Sequence, residues 1–334
     1  MRLGIVFQGD YSTPGELDRQ LELIRIADDL GYELVCGGEA WGISTLPWLT
    51  VVARETKHIK IGTAIINVFS RTPAAVAQEF AALDVISGGR ALLGLGSSGA
   101  AVIEHFHGVP FDRPLTRLRE YVEIFKTLIG GDRLIYDGKI FHMDRGFTLD
   151  YVRPRTSIPV YVAAITPKSI RQTAQIADGI MPIHWPKQHF PSLRQQLDDA
   201  AHEVGRDPSA VAIAPHMSVW ITDGRNDDAQ WQAAREHLSH YMNRMGDFYW
   251  QMFQQLGYEE EVAASRGAAQ ARDRAGASAA ISDRMVRDID VIGPVEAARE
   301  QLQERAALGA ELQLLKKLPT DPREVGPILE ALIR

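Results

Sequence analysis

A strand that runs into a glycine- and serine-rich loop is the strongest chemical signal in the sequence. The stretch ALLGLGSSG contains the pattern G-x-G-x-x-G at Gly94, Gly96 and Gly99. Glycines let backbone amides approach a ligand closely, and the hydroxyls of Ser97 and Ser98 add hydrogen-bond donors. The loop follows the fourth predicted strand rather than the first, which is a poor match to a dinucleotide fingerprint. The pattern favours a flavin-type ligand over a dinucleotide or a purely structural turn.

Two charged side chains follow neighbouring predicted strands. Glu39 comes after two glycines at the end of the second strand, and Arg71 follows the run KIGTAIINVFS of the third. A carboxylate at the C-terminal rim of a barrel is a candidate acid–base group or cofactor contact, and pairing with a neighbour is an equally good explanation. Arg71 is a candidate anion-binding residue or a cap for carbonyl groups. Thr72 and Pro73 have the residue types that begin a helix.

The histidines do not form a convincing metal site. His105 and His107 are two residues apart, and His237 and His240 are three apart in a predicted helix. Neither pair is accompanied by carboxylates at metal-binding spacing, so we expect no metal. The patterns G-x-S-x-G and H-E-x-x-H are missing from the sequence, so the hydrolase templates do not apply.

Eight short apolar runs alternate with segments of helical periodicity, as in parallel βα units. The predicted strands are residues 3–7, 33–36, 59–65, 91–95, 159–163, 179–183, 211–221 and 312–315. An open doubly wound sheet shares this order, but the count of eight favours an α/β fold of the (β/α)8 TIM-barrel type. We therefore expect one domain over residues 1–334.

Two segments interrupt the alternation. Residues 132–152 predict a small hairpin excursion after the fourth unit, with Asp137 and Gly138 as turn residues. Residues 226–292 are too long for one crossover and predict a helical insertion before the last strand. We expect the rim loops, chiefly 8–13, 41–47 and 226–280, to select the substrate.

The composition narrows the possible partners. A formal net charge of -7 without a basic cluster argues against nucleic acid or an anionic membrane and favours a small-molecule substrate. A single cysteine excludes an intrachain disulfide and suits a reducing compartment. The N-terminus lacks the pattern of a signal peptide, and no apolar run has the length of a membrane span. We therefore expect a cytoplasmic protein.

Several ordered motifs together carry a family resemblance. They are GGEAWGIS, then KIGTAIINVFSRTPAAVAQEFAALDVISGGRALLGLGSSGAAVIEHFHGVPFDRPL, IPVYVAAITPKSI, IADGIMP, MGDFYWQMFQQLGY and MVRDIDVIGPVEAARE. In these motifs the chain resembles the bacterial luciferase-like superfamily, specifically its branch that uses the deazaflavin coenzyme F420. The resemblance covers most of the chain.

The resemblance implies a binding site for the cofactor. It implies a non-prolyl cis peptide at Ala64–Ile65 that supports the back of the ring. The remaining cofactor contacts that it implies lie in the loop after the fourth strand and at the ends of the fifth and sixth strands: Gly96, Ser97, Ser98, Ala163, Ala164, Ile165, Met181, Pro182 and Ile183. The reactive side of the ring would then face Glu39, Trp41 and Asn67. Glu39 would transfer a proton or contact the ring, and Trp41 would form an apolar wall.

The chain also departs from the family. Some deazaflavin dehydrogenases of the family have an Asp-His pair after the second strand, where this chain has Glu39 and Ala40, and a glutamate where it has Gly99. Sugar-phosphate oxidation by a histidine-based mechanism is therefore disfavoured. The resemblance implies an oxidoreductase that transfers a hydride between F420 and a small organic substrate.

Two other functions fit the same motifs. One is an FMN-dependent luciferase-like monooxygenase, which would activate dioxygen. The other is a noncatalytic barrel that binds a cofactor without turnover. Relatives of this kind commonly dimerise through barrel helices, so the resemblance also implies a homo-oligomer, most simply a homodimer.

Overall fold

The structure, a computed structural model, describes residues 1–7 and 14–334. The substrate-selecting role expected of loop 8–13 therefore lies outside the described residues. Within them the strands are β1 Arg2–Phe7, β2 Leu34–Gly37, β3 Lys60–Thr63, β4 Ile66–Asn67, β5 Ala91–Gly96, β6 Leu134–Asp137, β7 His142–Phe147, β8 Val160–Val162, β9 Gly179–Ile180, β10 Ala212–Ile213, β11 His216–Ile221, β12 Val291–Gly293 and β13 Leu312–Lys316.

Helices separate most of these strands. They are α1 Glu16–Leu30, α2 Thr45–Glu55, α3 Pro73–Ser87, α4 Ala100–His105, α5 Pro114–Gly130, α6 Pro167–Ile176, α7 Phe190–His202, α8 Asp227–Arg244, α9 Asp247–Gln255, α10 Glu259–Gln270, α11 Arg274–Ala279, α12 Asp283–Ile289, α13 Val295–Ala307 and α14 Pro322–Ile333. Thr72 caps α3 by accepting a hydrogen bond from the Ala75 amide, and Pro73 is its first residue, as the sequence predicted. In the described residues, no helix has both the length and the apolar character needed to cross a membrane.

The main sheet is parallel and curled. Its pairing order is β10-β9-β8-β5-β3-β2-β1-β13-β11-β12, with β4 beside β5. Both β2 and β5 are buried at every position, because side chains cover both faces of each strand. A strand occurs within each of the eight predicted runs, and β12 is an additional short strand that the sequence did not predict.

Two predicted strands are divided in the structure. The run 211–221 breaks at Ala214 and Pro215, because proline has no N–H to donate to a neighbouring strand. Its first part, β10, pairs with β9, and its second part, β11, pairs with β13 and β12. The run 59–65 ends earlier than predicted, at Thr63, and β4 follows after a kink.

Residues 132–152 and 226–292 interrupt the alternation of parallel strands and helices. Strands β6 and β7 form an antiparallel pair inside 132–152, and Gly138 donates from its amide to the Phe141 carbonyl in the connection. Helices α8 to α12 occupy most of 226–292.

Apolar residues form two cores. The larger core lies between the helices and the sheet. The smaller core lines the inner face of the curled sheet and comprises Val6, Leu34, Cys36, Ala64, Leu92, Tyr161, Met181, Ala214, Leu312 and Leu314. Side chains alternate between the two faces of a strand. Residues an even number of positions after an inner-core residue on the same strand therefore also point inward, including those at the C-terminal ends.

Candidate active site

The third strand is kinked at its C-terminal end by a cis peptide bond between Ala64 and Ile65, as the resemblance implied. Backbone hydrogen bonds hold both sides of the kink. The Ala64 amide donates to the Gly37 carbonyl over 2.7 Å, and the Glu39 amide donates to the Ile65 carbonyl over 3.1 Å. The loop after β2 therefore fixes the kink from one side.

Glycines allow neighbouring strands to approach this kink. A Cβ atom on Gly38 would lie 2.8 Å from the Ala64 carbonyl oxygen, and one on Gly96 would lie 2.9 Å from Cδ1 of Ile65. A Cβ atom on Gly94 would overlap the Thr63 carbonyl oxygen. The Gly94 carbonyl and amide instead exchange hydrogen bonds with the Thr63 hydroxyl, at 2.8 and 2.9 Å. We refer to Gly38, Ala64, Ile65, Gly94 and Gly96 as the bulge wall.

The bulge wall fits one face of a planar ring. Ile65 is half-buried at the rim, so its side chain retains an open surface. Ala163 lies beside Gly96, and Met181 lies beside Gly94, which places small and apolar side chains next to the wall. The residues present are therefore compatible with a flavin-type ring held at the C-terminal ends of the strands.

The serine loop continues directly from the bulge wall. Ser97 and Ser98 are half-buried, and the Ser97 hydroxyl donates to the Ser98 carbonyl over 3.3 Å. Ser98 has a left-handed backbone with φ of 59°. A Cβ atom on Gly99 would meet nothing within 4 Å, so open space lies in front of this loop.

The predicted residues of the fifth and sixth strands divide into two groups. Ala163 and Met181 lie on the inner side near the bulge wall, whereas Ala164 and Ile165 pack with the outer core. Pro182 is buried, and its carbonyl accepts from the His216 amide over 2.9 Å. A cofactor contact by the Ala164 and Ile165 side chains therefore has less geometric support than one by Ala163.

Glu39 is held in a two-bonded ion pair with Arg71. Its oxygens accept from the two terminal guanidinium nitrogens at 2.7 and 3.0 Å, and also from the Ser44 hydroxyl and the Thr45 amide. Burial raises the pKa of the Glu39 carboxyl, but the hydrogen bonds from Arg71 and Thr45 outweigh it and leave the pKa below its ordinary value. A carboxylate held ionised in this way is a poor proton donor at neutral pH.

Trp41 and Asn67 are placed differently from each other. Trp41 lies in the loop before α2 and is 60% exposed. Asn67 is buried, and its side-chain carbonyl accepts from the amides of Phe69 and Ser70. Its amide nitrogen lies 3.4 Å from Nε2 of His107. Asn67 thus shapes the loop after β4, while Trp41 is free to contact a ligand at the rim.

A second group of polar residues, which the sequence did not predict as a site, lies on β11, β13 and the segments beside them. Lys316 shares the inward face of β13 with Leu312 and Leu314, and its partner in register on β11 is Ser218. The group comprises five buried residues and one half-buried residue, His237; the buried ones are His184, His216, Ser218, Asp290 and Lys316. We refer to these six residues as the lysine cluster.

The lysine cluster contains several polar atoms without hydrogen-bond partners in the described part of the chain. They are both ring nitrogens of His184, Nε2 of His216 and of His237, Oγ of Ser218, Oδ1 of Asp290 and Nζ of Lys316. The other carboxylate oxygen of Asp290 accepts from Nε1 of Trp220 over 2.9 Å. Nζ of Lys316 lies 5.5 Å from the ring centre of Tyr241, a cation–π contact. Buried polar groups are normally satisfied, so this concentration marks a candidate functional region.

Burial also displaces the pKa values of the cluster. Desolvation lowers the pKa of Lys316 to about 8, against the opposing effect of Asp290. Desolvation and Lys316 together lower the pKa of His216 to about 3 and hold that of His184 well below its usual range. Burial raises the pKa of Asp290. The cluster therefore combines neutral imidazoles with an ammonium that loses its proton more easily than an ordinary lysine.

The fold and this rim site define an α/β enzyme with a curled parallel sheet, and comparison with known proteins gives the family. The family model described as luciferase-like monooxygenase matches residues 1–312. The chain therefore belongs to the luciferase-like monooxygenase family. The resemblance inferred from the sequence motifs is confirmed.

Individual relatives agree with this assignment. The chain is 29% identical over 332 residues to a Mycobacterium tuberculosis protein assigned to the coenzyme F420-dependent oxidoreductases, covering 94% of both chains. It is 29% identical over 228 residues to 5,10-methylenetetrahydromethanopterin reductase of Archaeoglobus fulgidus, covering 68% of this chain and 66% of the relative. The structure of the F420-dependent tetrahydromethanopterin reductase of Methanopyrus kandleri superimposes with a TM-score of 0.83 at 21% identity, covering 100% of this chain and 97% of that one.

Proposed function

We propose that this chain is an oxidoreductase that transfers a hydride between coenzyme F420 and a small organic substrate. The observation that carries the proposal is the bulge wall, a backbone kink at Ala64–Ile65 packed against glycines at the C-terminal ends of the strands. The F420-dependent relatives support the same cofactor. When bound, F420 supplies the hydride chemistry, and the protein supplies orientation and exclusion of water.

In this proposal the bulge wall positions one face of the ring and leaves the other face to the substrate. Ile65 and Ala163 would hold the ring, and the Ser97 and Ser98 hydroxyls would bind the polar tail. Holding both reactants in a fixed geometry lowers the entropic cost of hydride transfer. Met181, Pro182 and Ile183 complete the ring pocket from the sixth strand, and Ala164 and Ile165 support it from the outer core.

We propose a positioning role for Glu39 rather than a role in proton transfer. Its ion pair with Arg71 joins the loop after β2 to the loop after β4. Because the Glu39 amide also binds the Ile65 carbonyl, this link steadies the kink beneath the ring. Trp41, exposed at the same rim, serves as an apolar contact for substrate, and Asn67 orders the loop on the reactive side.

We further propose a single-domain, closed (β/α)8 barrel with insertions at about 132–152 and 226–292. The pairings of β1 with both β2 and β13, and of the two halves of the seventh strand with β9 and β13, support closure. A homodimer in the cytoplasm, with no nucleic-acid or membrane partner, completes the proposal. Sedimentation equilibrium tests the dimer directly.

Titration of the purified protein with F420 and with FMN tests the cofactor. Tryptophan fluorescence should report tighter binding of F420, by about tenfold or more, which corresponds to roughly 1.4 kcal/mol. The variant Ser97→Ala should weaken F420 binding several-fold, whereas Ser209→Ala, on an exposed turn before the amino end of β10, should leave it unchanged. Tighter binding of FMN would overturn the cofactor assignment.

The second candidate is an FMN-dependent monooxygenase, which the description of the matching family favours. The two functions differ in their reaction with dioxygen. If the proposal holds, the protein with reduced F420 consumes no oxygen beyond the rate of free cofactor. Rapid oxygen consumption with reduced FMN would favour the monooxygenase.

A further inference from the structure

His107 lies at the rim of the candidate active site, next to Asn67. Asn67 is in register with Gly96 of the bulge wall, and the Val68 amide donates to the Gly96 carbonyl over 3.1 Å. The side-chain amide nitrogen of Asn67 lies 3.4 Å from Nε2 of His107. One side chain therefore joins the imidazole to the strand ends that form the bulge wall.

The backbone around His107 holds the imidazole in this place. The His107 amide donates to the Val102 carbonyl over 3.2 Å at the end of α4. The Val109 amide donates over 3.1 Å to the carbonyl of Ile103, which is fully buried in the outer core. The Phe106 ring packs edge-on against the imidazole, with ring centres 5.0 Å apart. His107 is thus half-buried on an anchored turn.

Asn67 determines which ring nitrogen of His107 carries the proton. The side-chain oxygen of Asn67 accepts from the Phe69 and Ser70 amides at 2.9 and 2.8 Å, so the amide nitrogen is the atom that faces His107. An amide nitrogen only donates, so Nε2 of the neutral imidazole must accept, and the proton must be on Nδ1. His107 therefore presents an Nδ1–H donor.

The described residues provide no acceptor for this donor. Within them, the one hydrogen bond of the His107 ring is that of Nε2 with Asn67, and no carboxylate forms an ion pair with the ring. Glu39, the carboxylate of the same rim, is paired with Arg71 and is a poor proton donor. The Nδ1–H group of His107 is thus left to bind an acceptor atom of a ligand.

We propose that Nδ1–H of His107 donates a hydrogen bond to the substrate, at an acceptor atom bonded to the carbon that exchanges the hydride. The inference rests on the proposed function, because it assigns a class of substrate to the same site. In the reducing direction the carbon gains the hydride, the electron pair of its double bond moves to the acceptor atom, and that atom then takes a proton from water. A fixed donor stabilises the negative charge that develops there. Asn67 is a positioning residue, since it acts through the imidazole.

Nitrogen-15 NMR of histidine-labelled protein tests the tautomer without the cofactor. Spectra at about pH 8.5, two units above the ordinary histidine pKa of about 6.5, report the neutral ring. The His107 signals, identified by their loss in His107→Asn, should show a protonated Nδ1 and a bare Nε2. In Asn67→Asp both side-chain oxygens only accept, so Nε2 of His107 should become protonated. A protonated Nε2 in the wild type would overturn the inference.

Calorimetry with two small probes tests the contact itself. Cyclohexanone offers one acceptor oxygen, and methylenecyclohexane is the nearly isosteric hydrocarbon without it. In protein saturated with oxidised F420, the ratio of ketone affinity to hydrocarbon affinity should fall about fivefold in His107→Phe, as expected for one net hydrogen bond. His105→Phe, which changes the exposed last residue of α4, is the matched control and should keep the wild-type ratio.

Two further variants separate substrate contact from support of the Asn67 side chain. The amide nitrogen of asparagine reaches the depth of Nδ1 of histidine, whereas that of glutamine reaches the depth of Nε2. His107→Asn should therefore keep the wild-type affinity ratio, and His107→Gln should lose it. The reverse order would overturn the inference, as would an unchanged ratio in His107→Phe or a wild type that binds no ketone.

Failure of the proposed function gives a different result. F420 affinity, measured on the same samples, should be equal in the wild type and the His107 variants. A wild type that binds no F420 would overturn the proposed function, whatever its tautomer. A wild type that binds F420 and has the same affinity ratio as His107→Phe would overturn only the role of His107.

Discussion

The bulge wall and the lysine cluster occupy different parts of one rim and differ in how well their polar groups are hydrogen-bonded. In the bulge wall, strands approach so closely that glycine is required, and the Thr63 hydroxyl and Gly94 backbone satisfy each other. In the lysine cluster, several buried polar atoms have no hydrogen-bond partner among the described residues. The first region satisfies its own polar groups, whereas the second leaves polar atoms buried without such partners.

This difference distinguishes a region that supports a bound ring from a region whose polar groups can recognise a ligand. A tightly packed wall orients a ring at little cost on binding, because it does not rearrange. A set of unsatisfied donors lowers stability in the free protein and gains interactions in the complex. We therefore expect substitutions in the two regions to change stability in opposite directions.

Gly94→Ala should produce the largest effect and would test the rigidity of the bulge wall. The added Cβ atom overlaps the Thr63 carbonyl oxygen, a backbone atom that cannot move away alone. We expect a loss of about 3 kcal/mol or more in the free energy of unfolding, measured by urea denaturation. Gly99→Ala, where the new methyl group meets open space, is the control. Equal stability of the two variants would show that the wall is not tightly packed.

Lys316→Met should instead stabilise the protein. It would test whether the buried polar groups of the lysine cluster lower the free energy of unfolding. A lysine pKa of about 8 in the folded state, below the ordinary value of about 10.4, costs roughly 3 kcal/mol at neutral pH. Because the folded state binds the proton more weakly, the wild type should gain stability as the pH rises from about 8 to about 10.4. In the variant this gain should disappear. A variant less stable than the wild type at neutral pH would contradict the description of the cluster.

Glu39→Gln should have an intermediate effect by breaking the link between the two rim loops. The lowered pKa of Glu39 means that its contribution is present above the ordinary glutamate pKa and is lost as the pH falls through the lowered value. We expect a loss of about 1 to 2 kcal/mol at neutral pH, and this loss should vanish once the pH falls below the lowered pKa of Glu39. Glu79→Gln is the control, since Glu79 lies 3.6 Å from Arg71 and is more exposed. Similar losses in both variants would remove the special role of the Glu39 pair.

Trp41→Ala should have the smallest effect. Its side chain is mostly exposed, so we expect a change in unfolding free energy within about 0.5 kcal/mol and no change in F420 affinity. Trp48→Ala, which removes a buried indole from the outer core, should cost about 3 kcal/mol in the same urea measurements. A large loss with Trp41→Ala would mean that this residue supports the fold.

Most of the fold could be predicted from local pattern. Apolar runs of four to eleven residues mark the strands because both faces of a parallel sheet are buried. The break at Ala214 was not predicted, because a run of apolar residues does not show where pairing changes from one neighbour to another. The kink after Thr63 was implied only by the family resemblance and not by the apolar pattern. Strand β12 was missed for a similar reason, since Val291–Gly293 is too short to show any periodicity.

The candidate site was predictable only on one side. The glycines and serines of the bulge wall and its loop are close in sequence, so motifs could identify them. The lysine cluster draws residues from 184 to 316, which come together only when the sheet curls. Alternation in HMSVWI places His216, Ser218 and Trp220 on one face of β11, and this unusual polarity on an inner face was the available signal.

A crystal structure of the protein with bound F420 is the most direct test of the central claim. The account predicts that the deazaflavin ring packs against Ile65 and the Ala64–Ile65 peptide, with its tail at Ser97 and Ser98. A ring bound elsewhere, for example in the surface groove between α13 and α14 that Glu296, Arg299 and Glu330 line, would contradict it.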